Sequence, residues 1–438
     1  MIQPWFANAK LGIFVHWGIY SVGMYEPSWA FFNHGRPGAA PEDHTDRDTY
    51  LAQRHAFCAQ RYHPEAWADL FREAGARYSV LTTKHPDGFC LWGSAGSLNA
   101  VADAPARRDL VSPFVTAMHG AGLKAGLYYT HGDWGHADYP SVRKADGCHL
   151  KPGEAGYRYC YPDGPDDLPR WERFLSLHRR QIRELCEGYR PDLLWFDTDW
   201  ERTAAQWRFP ELVAWLRQQH PQIVLNSRLG HDSGLGDYAT PEQGLPLAAP
   251  KSPWELCLTM NRGWGVPLDP SYKTEAELLR TFQDVLGMGG NLLLNVSPFG
   301  DGSLHQPQVD RLKAFGRWTT RCAEAIYPTG AGLPPGHFAG PSTLSADRTV
   351  LYLIQQDRPW SEIPLKGLRN RVLRASIVGC EAPVGLRQSG GASWMGIPGI
   401  LWLHLPEAAL DPLGTVVKLE LEGPLDLYVG AGAVVTQN

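Results

Sequence analysis

The residues around position 197 have the types and spacing to carry chemistry. An apolar run at 193–196 is followed at once by Asp197 and, two residues later, by Asp199. Short apolar runs bounded by polar residues are typical of buried strands in parallel sheets, where chemistry takes place at the carboxyl ends of the strands. Because side chains alternate along a strand, Trp195, Asp197 and Asp199 share one face. Asp197 is therefore a candidate catalytic carboxylate beside an aromatic ring; the alternative is an aspartate that caps the next helix.

Polar side chains end most of the strands that the sequence predicts. Eight runs are rich in apolar and β-branched residues, and helical patterns separate most of them. These runs are residues 10–17, 78–84, 123–129, 193–197, 222–228, 237–242, 254–258 and 289–298. The polar residues at or just after the ends of seven different runs are His16, His85, Tyr129, Asp197, Arg228, Glu242 and Asn295.

Strands that alternate with helices predict a (β/α)8-like barrel of the TIM type. The helical patterns cover residues 64–75, 113–122, 170–188, 211–219, 274–286 and 308–325. A doubly wound sheet is the alternative, because it also gathers polar groups along the carboxyl edge of its strands. No glycine-rich phosphate fingerprint follows the early strands, which weakens the nucleotide-binding form of that alternative.

The character of the chain changes at residues 328–341, which are rich in glycine and proline and mark a boundary. Four β-rich runs follow, separated by turns and without a helical pattern, and they predict a small β-sandwich. These runs are residues 349–354, 372–378, 400–405 and 416–421. We therefore expect a catalytic barrel at residues 1–330 and a C-terminal β-sandwich domain at 331–438. A structural role for the second domain is favoured over a sugar-binding one.

Charge and composition restrict the partners. The 438 residues carry a net charge of -5, and no basic run is longer than two residues, so we do not expect nucleic acid as a partner. The N-terminus has no charged segment followed by an apolar stretch, and no apolar run approaches the length of a membrane span. We expect a soluble, cytoplasmic protein without a membrane partner, and the oligomeric state stays open.

The cysteine pattern gives no sign of a metal centre. None of the 8 cysteines forms a C-x-x-C pair, so free thiols are the expected state. Cys148, His149 and Cys160 are too few and too scattered to be read as a zinc site. We therefore predict neither a metal ion nor an organic cofactor.

The residues at the strand ends favour a glycosidase. A retaining glycosidase needs one ionised carboxylate to attack the anomeric carbon and one protonated carboxyl group to assist the leaving group. Asp197 and Glu242 can flank one glycosidic bond, with Arg228 keeping Asp197 ionised and Glu242 acting as the acid. The chain also has 17 tryptophans, whose flat rings suit the C–H faces of sugars, although most of them must form ordinary core.

Eight blocks along the chain carry a resemblance to a known family. They read K-L-G-I-F-V-H-W-G at 10–18, L-T-T-K-H-P-D-G-F at 81–89, G-L-Y-Y at 126–129 with D-W at 133–134, L-W-F-D at 194–197, N-S-R at 226–228, T-P-E at 240–242, W-E at 254–255 with W-G at 264–265, and G-G-N-L-L-L-N at 289–295. Together, and over essentially the whole length, they resemble the α-L-fucosidases of glycoside hydrolase family 29.

The resemblance implies a retaining exo-glycosidase that removes terminal α-L-fucosyl residues from a carbohydrate substrate. By this resemblance Asp197 is the nucleophile and Glu242 the acid/base. The residues that it places around the sugar and the nucleophile are His16, Trp29, His85, Tyr129 and Arg228, with Tyr128 as the alternative to Tyr129. Trp195 and Trp264 complete the predicted lining of the site, although Trp264 is also suited to plain packing.

Two departures from the family pattern affect sugar recognition. The family usually has a second histidine where this chain has Pro86, and a glutamate where this chain has Ser28, with Glu26 the nearest carboxylate. A site that loses hydrogen-bonding groups for one sugar can come to prefer another. Two alternatives therefore remain: an α-L-glycosidase of the same mechanism that acts on a related L-sugar, and a non-catalytic sugar-binding protein.

Overall fold

The computed structural model describes residues 2–31, 45–139, 167–230, 233–266, 271–359 and 362–430. The chain divides into two compact units. The first comprises Met1–Gly244, Ser252–Tyr272 and Leu293–Leu312, and the second comprises Leu245–Lys251, Lys273–Leu292 and Lys313–Asn438. The assignment of a catalytic domain to residues 1–330 and a second domain to 331–438 stays a prediction. The Cys148, His149 and Cys160 group lies outside the described residues.

A curled sheet contains seven of the eight predicted barrel strands. The strands are β1 (Leu11–Val15), β2 (Tyr78–Lys84), β3 (Lys124–Thr130), β4 (Leu193–Asp197), β5 (Val224–Leu225), β6 (Glu255–Thr259) and β7 (Asn291–Val296). Their order, β5-β4-β3-β2-β1-β7-β6, places neighbours in sequence side by side, and β1 to β5 run parallel. All carboxyl ends from β1 to β5 therefore meet along one edge.

The remaining predicted strand, at 237–242, is corrected to an irregular segment. It makes only isolated parallel bridges, from Tyr238 to Asn226 after β5, and from Ala239 and Glu242 to residues in and beside β6. Pro241 supplies one reason, because proline has no N–H to give to a hydrogen-bond ladder. The segment still bridges both β5 and β6, so it occupies the eighth position of the barrel. The (β/α)8-like fold class is confirmed.

Helices follow most of the strands, as the sequence predicts. The α-helices are α1 (Pro4–Ala7), α2 (Tyr20–Gly23), α3 (Arg47–Ala52), α4 (Pro64–Glu73), α5 (Val111–Gly120), α6 (Leu168–Tyr189), α7 (Phe209–Gln219), α8 (Glu275–Gly287) and α9 (Gln306–Arg321). Helix α6 buries Trp171, Phe174, His178 and Leu185, whose spacing of three, four and seven residues gives one continuous face. None of the helices in the described ranges is long and apolar enough to span a membrane.

The second unit contains the predicted β-sandwich. Its strands are β8 (Thr329–Ala331), β9 (Ser342–Ser345), β10 (Val350–Gln355), β11 (Ile363–Leu365), β12 (Val372–Ile377), β13 (Gly385–Ser389), β14 (Ile400–His404) and β15 (Thr415–Leu421). They form a five-stranded sheet, β12-β15-β10-β9-β8, and a three-stranded sheet, β11-β14-β13. Leu351, Leu353 and Leu419 of the first sheet share one buried core with Leu365 and Leu403 of the second. Burial of this shared apolar face holds the two sheets together.

Candidate active site

A stack of rings lines the barrel beneath the carboxyl ends of its strands. Tyr128 pairs with Trp195 across β3 and β4, and their rings stack with centroids 5.6 Å apart. His85 stacks on Tyr128 at 5.6 Å, nearly parallel to it. The guanidinium of Arg228 lies 4.6 Å from the centroid of Trp195, as a cation–π contact requires. The aromatic ring predicted beside Asp197 is therefore that of Trp195, and the rings of Tyr128 and His85 stack on it in turn.

Arg228 brings the two predicted catalytic carboxylates together. Its Nη1 donates to Asp197 Oδ1 at 2.5 Å, and its Nη2 donates to Glu242 Oε2 at 2.7 Å. The Tyr128 hydroxyl donates to the other oxygen of Asp197, Oδ2, at 2.9 Å. Burial opposes the charge of Arg228, but the carboxylates of Asp197 and Glu242 outweigh it and raise the pKa of Arg228 well above its usual value. One permanently charged group thus orients both carboxylates.

The two carboxylates differ in exposure. The side chain of Asp197 is 15% exposed and ends β4, whereas that of Glu242 is 39% exposed and belongs to the irregular segment after β5. A nucleophile needs a fixed approach to the anomeric carbon, while an acid/base must exchange protons with water and the leaving group. The inner position of Asp197 suits the first task, and the outer position of Glu242 suits the second.

A hydrogen bond to Asn295 fixes the tautomer of His16. Its Nδ1 lies 2.7 Å from Asn295 Oδ1, and the Asn295 amide nitrogen donates to the carbonyl of Trp264 at 3.0 Å. Since the amide oxygen can only accept, His16 donates through Nδ1, which leaves Nε2 as an acceptor. Burial lowers the pKa of His16 to about 3, so the ring is neutral near pH 7. Asn295 is thus a site-shaping residue that the sequence identified only as a strand-end polar group.

Trp264 is fixed by the carboxylate of Glu26. Glu26 accepts from the backbone N–H of Trp264 at 2.9 and 3.0 Å and from that of Gly265 at 3.3 Å. A Cβ at Gly263 would lie 2.3 Å from a Glu26 oxygen, so this approach requires glycine there. The Trp264 ring packs against His16 with centroids 4.7 Å apart. Glu26 therefore holds the backbone at Trp264 and Gly265. It does not take over the role of the family glutamate that Ser28 replaces.

Ser28 belongs to a buried network behind His85. Its hydroxyl lies 2.6 Å from His85 Nδ1 and accepts from the backbone N–H of Asp87 at 2.8 Å. The Tyr50 hydroxyl donates to Asp87 at 2.7 Å. Burial raises the pKa of Asp87 to about 7 and lowers that of His85 to about 3. Trp29 follows directly, as the first residue of a 3-10 helix at Trp29–Phe31, and is partly buried.

Tyr129 does not lie with the carboxylates, and this corrects its predicted place in the site. Its hydroxyl donates to Gln181 of α6 at 2.9 Å, and Lys84 donates to it at 3.3 Å. Adjacent residues of a strand point to opposite faces, so Tyr128 points into the barrel and Tyr129 points out toward α6. The register of β3 against β4 decides between the two tyrosines, because it pairs Tyr128 with Trp195, and only the structure shows this register.

Sequence reasoning missed Glu255, a carboxyl group inside the barrel. Glu255 accepts from Trp195 Nε1 at 2.9 Å and from the Tyr78 hydroxyl at 2.5 Å. Burial raises the pKa of Glu255 to about 7. The residue supports the Trp195 ring, against which the guanidinium of Arg228 lies. Among the residues with described positions, no cluster of three or more His, Cys, Asp or Glu is arranged to hold a metal ion.

An arginine that holds two carboxylates at the carboxyl ends of barrel strands provides what hydrolysis of a glycosidic bond requires, and the chain is a glycoside hydrolase. Comparison with known proteins gives the family. The model of the family described as Alpha-L-fucosidase matches residues 1–324, and the chain belongs to that family.

Individual relatives agree with this assignment. The chain is 30% identical over 413 residues to the tissue alpha-L-fucosidase of Macaca fascicularis, with 84% of each chain covered. Alpha-L-fucosidase isoenzyme 1 from Paenibacillus thiaminolyticus is 32% identical, with a TM-score of 0.80 over 95% of this chain and 98% of that one. The Thermotoga maritima alpha-fucosidase in complex with fucose is 27% identical, with a TM-score of 0.75 over 96% and 97%.

Proposed function

We propose that this protein hydrolyses terminal α-L-fucosides with retention of configuration, with Asp197 as the nucleophile and Glu242 as the acid/base. The observation that carries the proposal is the shared guanidinium of Arg228, which places one oxygen of each carboxylate within 2.5–2.7 Å of its two terminal nitrogens. Retaining glycosidases need two carboxyl groups close enough to act on one glycosidic bond. A relative solved in complex with fucose supports the choice of sugar.

Two displacement steps follow from this assignment. In the first, an oxygen of Asp197 bonds to the anomeric carbon, the glycosidic C–O bond breaks, and Glu242 gives its proton to the departing oxygen. In the second, water attacks the anomeric carbon while Glu242 takes its proton, and the bond to Asp197 breaks. The two inversions together restore the original configuration. The Tyr128 hydroxyl holds the attacking carboxylate by its Oδ2, and Arg228 holds it by its Oδ1.

Neutral histidines are suited to bind the hydroxyl groups of the sugar. His16 offers Nε2 as an acceptor, and His85 stacks on the ring of Tyr128 beside Asp197. Because burial lowers the pKa of both histidines to about 3, neither brings a positive charge that would compete with Arg228 for the nucleophile. Trp264 covers His16 and supplies an apolar face for the C–H side of a sugar ring.

A related L-sugar is the second candidate substrate, and the structure of the network around Ser28 favours it. Ser28 is completely buried and serves His85 and Asp87, so its hydroxyl is not directed at a ligand. Pro86 has no side-chain donor or acceptor. Two groups that family members use for hydroxyl recognition are thus lost, which lowers discrimination between L-sugars that differ at those hydroxyls.

A panel of aryl α-L-glycosides tests both candidates. We expect turnover of the aryl α-L-fucoside, and we expect proton NMR of the reaction to show the α-anomer of the free sugar before mutarotation. The Pro86→His variant should increase the preference for fucoside over the other L-glycosides. Faster hydrolysis of another L-glycoside by the unmodified protein would establish the second candidate. Binding of fucose without turnover of any member of the panel would establish a non-catalytic sugar-binding protein.

A further inference from the structure

The backbone that carries Arg228 is fixed from two sides by buried polar groups. The carbonyl oxygen of Arg228 accepts from His131 Nε2 at 3.0 Å, and the N–H of Gly230 donates to Asp199 Oδ2 at 2.7 Å. His131 follows β3 and Asp199 follows β4, so both come from neighbouring strand ends. The guanidinium that holds the two carboxylates therefore extends from a backbone segment whose position depends on these side chains.

Every proton in the chain of hydrogen bonds behind His131 has a determined position. Arg179 Nη1 lies 2.8 Å from His178 Nδ1, and His178 Nε2 lies 3.0 Å from His131 Nδ1. A guanidinium can only donate and a carbonyl can only accept. The chain must therefore run in one direction, from Arg179 through His178 and His131 to the carbonyl of Arg228. Both histidines are neutral and carry their proton on Nε2.

Burial supports this protonation state. It lowers the pKa of His131 to about 3 and that of His178 well below its ordinary value. The His131 ring stacks on Phe196 at 4.7 Å and packs against Phe209 at 4.5 Å. Arg179 is anchored in turn, because its Nη2 donates to the carbonyl of Arg208 at 2.9 Å. Neither ring can turn without leaving a buried donor or acceptor without a partner.

We propose that His131 is a positioning residue for Arg228, and that His178 and Arg179 fix the tautomer in which it does so. His131 touches no reacting atom; it acts on the two carboxylates only through the guanidinium of Arg228. The inference rests on the proposed function, since it assumes that Arg228 places Asp197 and Glu242 for catalysis. A misplacement of a catalytic group by about 1 Å costs on the order of 100-fold in rate.

Two matched amides at position 131 separate positioning from packing. The amide nitrogen of Gln reaches the place of the histidine Nε2, so His131→Gln keeps the donor to Arg228. Asn reaches only the place of Nδ1, so His131→Asn loses that donor. We expect kcat on an aryl α-L-fucoside to fall about 10- to 100-fold in His131→Asn with KM nearly unchanged, and to fall less than about threefold in His131→Gln.

His178→Phe provides a second variant in case His131→Asn does not fold. It removes the donor that holds His131 in the Nε2–H tautomer, so the hydrogen bond from His131 to the carbonyl of Arg228 is weakened but not deleted. We expect a smaller loss of kcat, on the order of threefold to tenfold, again with KM nearly unchanged. Equal losses in His131→Asn and His131→Gln, or wild-type kcat in His131→Asn, would overturn the proposal.

Nitrogen-15 NMR of histidine- and arginine-labelled protein gives a reading that does not require activity. We expect His131 and His178 to appear as neutral Nε2–H tautomers, and the Arg228 Nε–H resonance, assigned by its loss in Arg228→Lys, to shift in His131→Asn but not in His131→Gln. An unchanged Arg228 resonance in His131→Asn would refute positioning. The unmodified protein could turn over no fucoside while the Arg228 resonance still shifts in His131→Asn and not in His131→Gln. That result would refute the proposed function and leave the positioning role standing.

Discussion

The two units of this molecule bury different kinds of polar residue. The first unit buries charged and titratable side chains, among them Lys84, Asp87 and Glu255. In the second unit, the buried polar residues in the described ranges are all uncharged: Gln283, Asn291, Thr319, Thr329, Ser342, Thr343, Ser376 and Thr415. Burying a charge is costly unless it is paired, and buried titratable groups with shifted pKa values cluster at functional sites. The contrast places the chemistry in the first unit.

Ion pairs show the same difference. The Arg228–Asp197 pair is largely shielded, with side-chain exposures of 14% and 15%. The Arg371–Glu422 pair of the second unit is bidentate but has exposures of 70% and 58%. Water and salt screen the second pair far more than the first. Substitutions at buried pairs of the first unit should therefore affect activity or stability strongly, and those at surface pairs of the second unit weakly.

The largest expected effect follows removal of the nucleophile. Asp197→Gly should lower turnover of an aryl α-L-fucoside by at least about three orders of magnitude, because no glycosyl-enzyme can form. Added azide fits the vacated space and attacks from the face that Asp197 occupied, so the product should be the β-glycosyl azide. Product NMR distinguishes the anomers. The α-azide from this variant would contradict the assignment of Asp197.

Removal of the acid/base should give the next largest effect, and its size should depend on the leaving group. Glu242→Ala keeps the nucleophile but removes proton donation. Hydrolysis of a fucosyl disaccharide should fall on the order of 100- to 10,000-fold, and that of a fucoside with an activated phenol much less, because that phenol departs without a proton. Azide should now give the α-glycosyl azide. Equal losses on both leaving groups would exclude Glu242 as the acid.

Much of this site could be predicted because strand ends are readable in the sequence. Asp197, Arg228 and Glu242 each end a predicted strand, and the structure brings them together. The prediction for Tyr129 was wrong because the end of a strand does not show which of two adjacent tyrosines faces inward. The pairing of β3 with β4 was needed to decide. Glu255 was missed because a carboxyl group within a strand normally indicates an exposed face, and its partners lie far away in sequence.

The fold class was predictable from the sequence, but several short strands were not. The short strands β9, β11 and β13 gave no clear signal, since each has only three to five residues and β13 is largely exposed. The segment at 237–242 was predicted as a short strand, although Pro241 lies within it. Its backbone is instead held by bridges to β5 and β6 that only the assembled barrel provides.

A buried carboxyl group predicts an effect on stability. The pKa of Glu255 is about 7 in the folded state, compared with 4.5 as its ordinary value. Between these pH values the folded state keeps a proton that the unfolded state has released, so Glu255 makes the free energy of unfolding fall as pH rises from 4.5 to 7. The fall amounts to on the order of 3 kcal/mol. Glu255→Gln, which cannot titrate, should lack this component in urea unfolding measured across that range.

Glu65→Gln is the matched control for that experiment, because Glu65 is exposed on α4. We expect the Glu65→Gln variant to keep the fall in the free energy of unfolding that Glu255 contributes between pH 4.5 and 7. A wild-type pH dependence in Glu255→Gln would show that Glu255 is not the group that keeps a proton in the folded state. The contrast between buried and exposed carboxyl groups would then lose its best example in the barrel.

The smallest effect is expected at the surface of the second unit. Arg371 and Glu422 make two parallel hydrogen bonds at 3.0 and 3.1 Å, the geometry in which a surface pair has its best chance of contributing. Both side chains are mostly exposed, so the attraction is screened and ordering two long side chains offsets it.

Arg371→Ala, Glu422→Ala and the double variant should keep full fucosidase activity and show no measurable coupling in thermal midpoint. Arg374→Ala, which breaks a pair with exposures of 57% and 53%, serves as the comparison. A strong coupling at Arg371–Glu422 that disappears in high salt would show that the second unit also depends on charge, and the contrast between the units would fail.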